Sequence, residues 1–226
     1  MDKIRKKARY LCSRYLCRKE LNTPLFIVGP PHSGTTLLLV LLNAHRNIFA
    51  IPYESEIFHR KGVNLEKSFA YFRKLTYEAG KLRWCEKTPD HVYQIEAIRS
   101  QFPEAPILMV IRNGFDCVAS LYKRTRSMEL SLLRWSRAVE AILRQRESSY
   151  TRIVSYEDLI CDTEKTLQAI CVFIGEEFDP SMLNHSQKSL ALNGKSGHQC
   201  EDSTGENHGF NRVWQVNQPI FDGRNK

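Results

Sequence analysis

No apolar run in the 226-residue sequence reaches the ~18 residues that a membrane-spanning helix needs, and the N-terminal stretch lacks the apolar centre of a secretory signal. The expectation is a soluble, cytoplasmic chain with no stable membrane insertion. Paired cysteines are missing as well: the seven, at 12, 17, 85, 117, 161, 171 and 200, include no CxxC and no zinc spacing. Their odd number argues against a complete disulfide framework and fits a reducing compartment. No internal repeat is present, which excludes a solenoid or propeller. Acidic charge is in deficit, 25 Asp and Glu against 33 Lys and Arg, so the formal balance of +8 favours an anionic partner.

What is present fits one globular domain, since 42% hydrophobic and 26% charged residues over this length supply a single sizeable core. Much of the charge excess lies between Met1 and Glu20, where Lys3, Arg5, Lys6, Lys7, Arg9, Arg14, Arg18 and Lys19 oppose only Asp2 and Glu20. Ile4, Leu11, Tyr15 and Leu16 recur near helical spacing, which predicts a basic amphipathic helix over residues 1–22. Such a helix either docks by its apolar stripe or attaches to a membrane surface or nucleic acid. The arm has no base-reading motif and no interleaved aromatics, so no nucleic-acid partner is expected.

Leu25-Phe26-Ile27-Val28 is a short apolar run ending at Gly29, as in a buried parallel strand that feeds a turn. Thr35 to Ala44 follows with apolar positions in strong helix formers, giving a strand, loop, helix unit. Strands are further predicted at Ile48–Ile51, Leu82–Cys85, Ile107–Ile111 and Arg152–Val154. Helices are predicted at Ser55–Arg60, Leu65–Ala79, Phe115–Lys123, Leu130–Glu147 and Glu164–Ile174, the last closed by Gly175. Strand and helix alternate, so the fold class is α/β, with a central parallel sheet flanked by helices in three layers. Residues 25–175 form the core of this single domain, and residues 184–226, rich in Gly, Ser, Asn and Gln, read as a loop-rich cover.

Gly29-Pro30-Pro31-His32-Ser33-Gly34-Thr35-Thr36 has the GxxxxG spacing of a phosphate-binding loop, but Thr35 stands where nucleoside triphosphatases carry lysine. Without that lysine the triphosphate clamp is gone. Free amides at the helix start and the hydroxyls of Ser33, Thr35 and Thr36 still suit a diphosphate-like anion, although the spacing alone also fits a plain strand-to-helix turn. Arg112 follows the most β-like run in the chain, where ligands bind in open parallel sheets, and Ser120 lies two turns into the next helix. Arg112 offers a planar fork to phosphate, or a structural ion pair to Asp116.

Ser33-Gly34-Thr35-Thr36 after a strand, together with the segment from Val110 to Ser120, resembles the 3′-phosphoadenosine 5′-phosphosulfate (PAPS) dependent sulfotransferases. Trp84 to His91 is similar to the WxxKTPxH segment of the bacterial, carbohydrate and tyrosylprotein branches, and Ser155 to Leu159 is similar to their YEDL segment. The likeness spans about residues 25–175. It implies a P-loop-like fold, PAPS as sulfuryl donor with PAP as product, no metal, and a phosphate-loop group of Pro31, His32, Ser33, Gly34, Thr35 and Thr36. It further implies that Arg112 and Ser120 hold the 3′-phosphate.

Sulfuryl transfer needs a base for the acceptor proton and donors for charge developing on the leaving phosphate. Pro52-Tyr53-Glu54-Ser55-Glu56 resembles the place where tyrosylprotein-type members carry a glutamate base, so Glu54 is the first candidate and Glu56 the second. Either acid also suits the first turn of a helix. His59 and His91 stand behind them, and Glu56, Lys87 and His91 are candidate substrate contacts. Tyr156 and Glu157 read as helix-capping and loop-bracing residues, and Arg126, Lys188, Lys195 and Arg212 as surface charge or late nucleotide contacts. His32 departs from the family, which carries Lys or Arg there to stabilise the leaving phosphate; a histidine makes activity pH-sensitive, weakened or absent. The expected reaction moves a sulfuryl group to a hydroxyl or amine of a small-molecule or carbohydrate acceptor, as in natural-product tailoring. The rivals are a P-loop nucleotide or small-molecule kinase and a catalytically weak nucleotide-binding protein.

Overall fold

The computed structural model describes residues 23–183. The predicted N-terminal helix over residues 1–22, the cover over 184–226 and the residues Lys188, Lys195 and Arg212 lie outside the described residues. Five strands, β1 (Leu25–Val28), β2 (Ile48–Ala50), β3 (Arg83–Lys87), β4 (Ile107–Ile111) and β5 (Thr151–Ser155), form one sheet in the order β2-β3-β1-β4-β5. Every neighbouring pair is parallel, with Phe26 opposite Glu86 on one side and Ile107 on the other.

Among the described residues seven α-helices cover it: α1 (Thr35–Ala44), α2 (Leu65–Glu78), α3 (Ile95–Gln101), α4 (Gly114–Thr125), α5 (Met128–Arg144), α6 (Tyr156–Cys161) and α7 (Thr163–Ile174). Because strand side chains alternate, Leu25 and Ile27 join one core with α1, α6 and α7, while Phe26 and Val28 join another with Phe69, Phe72, Trp84 and Ile142. The parallel strands are therefore apolar on both faces, as their continuous hydrophobic runs require. The layered α/β architecture expected from the sequence is the one observed. Helix α1 is apolar nearly all round, and residues 37–42 are at most 5% exposed, which makes it the central wall behind the loop.

One element is corrected. Ser55–Arg60 is irregular with turns at 57–59 and not a helix. Its Glu56 sits at φ 52, and the Glu56 amide goes to the Thr88 hydroxyl at 3.3 Å, a tertiary contact that outcompetes a local helix. The other elements predicted within residues 23–183 are found, most with shifted ends, β3 running to Lys87 and α5 starting at Met128, where the Ser127 side chain caps it.

Candidate active site

All five strands point their carboxyl ends at one side of the sheet, and each is followed by a residue that lines a single cavity of about 640 Å³. After β1 come Pro31, His32, Gly34, Thr35 and Thr36, and after β2 come Glu54, Glu56 and His59. Thr88 and Asp90 follow β3, Arg112 follows β4, and Tyr156 follows β5. Ligands of open parallel sheets bind at this edge because loops there are free to diverge and helix N-termini converge.

The loop is built by backbone constraint. A Cβ on Gly29 would lie 2.3 Å from the Val110 carbonyl oxygen, and one on Gly34 would lie 2.3 Å from Cδ2 of Tyr156. Gly34, at φ 97, opens α1 with no side chain capping its amides, so those donors are left for an anion. His32 also takes a left-handed conformation, φ 68, which turns its ring toward Ser120. Cys117 donates its thiol hydrogen to the Pro31 carbonyl at 3.2 Å, and burial pushes that thiol up to about 12. It is therefore a neutral clasp between the loop and α4.

His32 and Ser120 meet directly, Nδ1 to Oγ at 3.1 Å, so the phosphate loop and the Arg112 block lie side by side in one cavity. Although His32 is accessible at the cavity, the protein atoms crowding its ring lower its pKa from the usual 6.5. The guanidinium groups of Arg124, Arg134 and Arg112 lower it further, while Glu54 opposes them. The ring is thus neutral at pH 7 and serves the site as a hydrogen-bonding group.

Arg112 lies over the Tyr156 ring, its Cζ 4.5 Å from the centroid, and Tyr156 in turn packs on Gly34. Its Nη2 is 3.5 Å from Asp116, a long contact, and its Nε is buried without a protein partner. An unpartnered donor on an arginine facing the cavity fits an anionic ligand. Asn113 and Glu157 hold the frame: the Asn113 side chain caps α4, and Glu157 accepts from the Asn113 amide at 2.8 Å. The bracing role read for Glu157 agrees with this; Tyr156, by contrast, lines the cavity, and Ser155 caps α6.

Glu54 lies at the cavity with its side chain 39% exposed, and Lys87 donates to it at 2.5 Å. Glu56 also lines the cavity and pairs with Arg60 at 3.1 Å. Three expectations need correction. The Ser33 hydroxyl is fully buried without a protein partner and is not part of the cavity wall. Lys87, only 5% exposed, reaches the cavity through Glu54 and does not line it. His91 is completely buried and directed at Glu86, 3.1 Å away, so it is no substrate contact and no base.

Arg124, in the last turn of α4, and Arg134, on α5, line the cavity and were missed in the sequence. Charged positions on amphipathic helices look like solvated surface, and only the packing of α4 on α5 turns these two inward. Arg134 is 3.5 Å from Asp90; Arg126, with its left-handed backbone at the α4 end, stays outside the cavity. Among the described residues no cluster of His, Cys, Asp and Glu could hold a metal, and no helix is long and apolar enough to cross a membrane.

A model described as the sulfotransferase family matches residues 64–180, more than half of the chain. Protein-tyrosine sulfotransferase 1 of Danio rerio is 25% identical over 215 residues, covering 80% of this chain and 61% of that protein. The chain thus spans about three fifths of that relative's length. The sulfotransferase domain of the Synechococcus PCC 7002 olefin synthase superposes with a TM-score of 0.61 at 21% identity, covering 75% of this chain and 80% of that one. A mouse sulfotransferase complexed with PAP superposes at 0.50 with 17% identity, covering 75% and 64%. At these identities the superpositions speak for the fold. The family match, which runs across β3, β4 and the Arg112 block, places the chain in the sulfotransferase family.

Proposed function

We propose that the chain transfers a sulfuryl group from PAPS to a hydroxyl or amine of a small-molecule or carbohydrate acceptor, with Glu54 as general base. The observation that carries this reading is the convergence of the phosphate loop and Arg112 on one cavity, joined by the His32–Ser120 hydrogen bond of 3.1 Å. When bound, the nucleotide supplies an activated sulfuryl group on a phosphate leaving group. The α1 amides with Thr35 and Thr36 bind one phosphate, and His32 donates a hydrogen bond toward the same charge. Arg112, Ser120 and Arg124 hold the other phosphate by charge-assisted hydrogen bonds. Glu54 takes the proton of the acceptor group, and Lys87 keeps its carboxylate oriented.

The acceptor side is walled by Glu56, His59, Asp90 and Arg134. Such polar, mostly ion-paired groups suit a hydroxyl-rich molecule, and about 640 Å³ shared with a nucleotide leaves room for a small one. Calorimetry with adenosine 3′,5′-bisphosphate against ATP and Mg²⁺ tests the donor site, and the bisphosphate is expected to bind at least about tenfold tighter. An acceptor screen with PAPS then includes sugars, phenols and tyrosine peptides, and transfer to peptides alone would overturn the acceptor class. Glu54→Gln should lower kcat by about 10²–10⁴ while leaving bisphosphate affinity within about twofold. Unchanged turnover removes Glu54 from the role of base.

A further inference from the structure

Glu86 is a fully buried carboxylate that takes no part in the cavity wall. It stands on the face of β3 that also carries Trp84, under the irregular segment that follows β2. A carboxylate in this position is strongly disfavoured unless its oxygens are filled by donors. Here they are filled: Oε1 accepts from the Ser55 amide at 3.3 Å, the Ser55 hydroxyl at 2.7 Å and the Thr88 hydroxyl at 2.6 Å, and Oε2 accepts from His91 Nδ1 at 3.1 Å. Burial opposes the charge, but the contacts with His91, Thr88 and Ser55 prevail and hold Glu86 below the usual carboxylate range.

The identity of the donors carries more than satisfaction of a buried charge. Ser55 lies between Glu54 and Glu56, and Lys87 lies between Glu86 and Thr88. Glu54 pairs with Lys87 at 2.5 Å, Ser55 with Glu86, and the Glu56 amide with the Thr88 hydroxyl at 3.3 Å. Three successive loop residues are thereby laced to three successive residues at the carboxyl end of β3. Backbone tethers are missing: among the described residues, no amide from 53 to 58 donates to a backbone carbonyl, and the loop is otherwise held by the apolar packing of Tyr53, Ile57 and Phe58. Loop position therefore depends on side chains, and two of the three lacing contacts run through Glu86 or through the Thr88 hydroxyl that Glu86 orients.

We infer that Glu86 is a positioning residue for the transfer step, fastening the loop that bears Glu54 to the strand end that bears Lys87, so that the base stands in place before any ligand arrives. This rests on the reading of Glu54 as the base. Preorganisation of this kind matters because misplacing a reacting group by about 1 Å costs on the order of 100-fold in rate. Glutamine at 86 retains an oxygen for Ser55 and Thr88, and its amide can donate to His91 Nδ1 in the other tautomer.

The test uses the full chain, with hydrogen exchange, calorimetry and steady-state kinetics on Glu86→Ala, Glu86→Gln and Thr88→Val. In Glu86→Ala the peptide spanning 53–58 should exchange at least about tenfold faster. Its kcat should fall by about 100-fold with adenosine 3′,5′-bisphosphate affinity within about threefold, and Glu86→Gln should recover most of the rate. Thr88→Val, which leaves the buried charge with its Ser55 and His91 partners, should loosen the same peptide and lower kcat in the same direction; it decides the matter if Glu86→Ala does not fold. Unchanged exchange, or a loosened loop with unchanged kcat, would overturn the inference, as would bisphosphate affinity lost in step with kcat. Wild-type protein that binds no bisphosphate sinks the sulfotransferase reading instead, and the exchange arm still decides whether Glu86 fastens the loop.

Discussion

Replacing His32 by glutamine should remove a proton uptake that accompanies nucleotide binding. In the ligand-free protein the ring is neutral at pH 7, because burial first and then Arg124, Arg134 and Arg112 lower its pKa from 6.5. An anion seated among the same arginines offsets their charge and raises the His32 pKa in the complex. The extra affinity is fully present below the ligand-free value, which lies under 6.5, and is lost as pH rises through the value in the complex. Between those limits affinity falls by up to about tenfold per pH unit, and at most about one proton is taken up. Calorimetry in buffers of different ionisation enthalpy counts that proton. Phosphate groups of the ligand themselves titrate near pH 6, so the decisive quantity is wild type minus His32→Gln, whose amide takes up no proton in this range. His32→Lys, charged throughout, should keep or raise affinity and turnover at alkaline pH. Equal proton counts in wild type and His32→Gln, or a pH profile unmoved by His32→Lys, would refute the assigned role.

Two further substitutions bear on the donor site. Arg112 is 12% exposed in its side chain, so removing its charge-assisted hydrogen bonds in Arg112→Ala should cost about 1.5–3 kcal/mol, or roughly 10- to 150-fold in bisphosphate affinity by calorimetry. Arg112→Lys should recover only part, because lysine has neither the fork nor the stack on Tyr156; full recovery would mean that charge alone matters. Gly34→Ala forces a Cβ to 2.3 Å from Tyr156 at φ 97 and should lower the melting temperature by about 2–10 °C with loss of binding, whereas an unchanged melt with intact binding would contradict the loop geometry.

The strands and most helices were legible because parallel strands buried on both faces read as unbroken apolar runs, as at Leu25–Val28 and Ile107–Ile111. The loop, Arg112 and Ser120 meet at one cavity because each stands at a strand end or in the helix beyond it. The errors share a different cause. Ser55–Arg60 carries an acid at the position of a helix's first turn, yet Glu86 and Thr88 take its amides. Lys87 and His91 look like ligand contacts in a motif, but each is aimed at a carboxylate, Glu54 and Glu86. Partners many residues away decide such cases, and a sequence pattern carries no information on which side chain will fill a buried acceptor.

The loss of positive charge from the phosphate loop is the point at which sequence and structure inform each other most. Position 35 holds threonine and position 32 a neutral histidine, so the loop itself presents amides and hydroxyls without a cation. The cavity restores charge from elsewhere: Arg112 at the end of β4, Arg124 from α4 and Arg134 from α5. Two of these are shared with acids, Arg112 with Asp116 and Arg134 with Asp90, both at 3.5 Å, while Arg124 has no ion-pair partner among the described residues. A long contact to a carboxylate is weak, and a phosphate offering more oxygens displaces it at little cost. The three guanidinium groups that, after burial, lower the His32 pKa in the ligand-free protein are therefore the ones whose charge a bound anion should offset, and the His32 pKa is expected to rise on binding. On the proposed function, charge at the leaving phosphate would then be assembled on binding and not carried permanently by the loop, so donor affinity should vary with pH where a loop lysine or arginine would make it nearly constant.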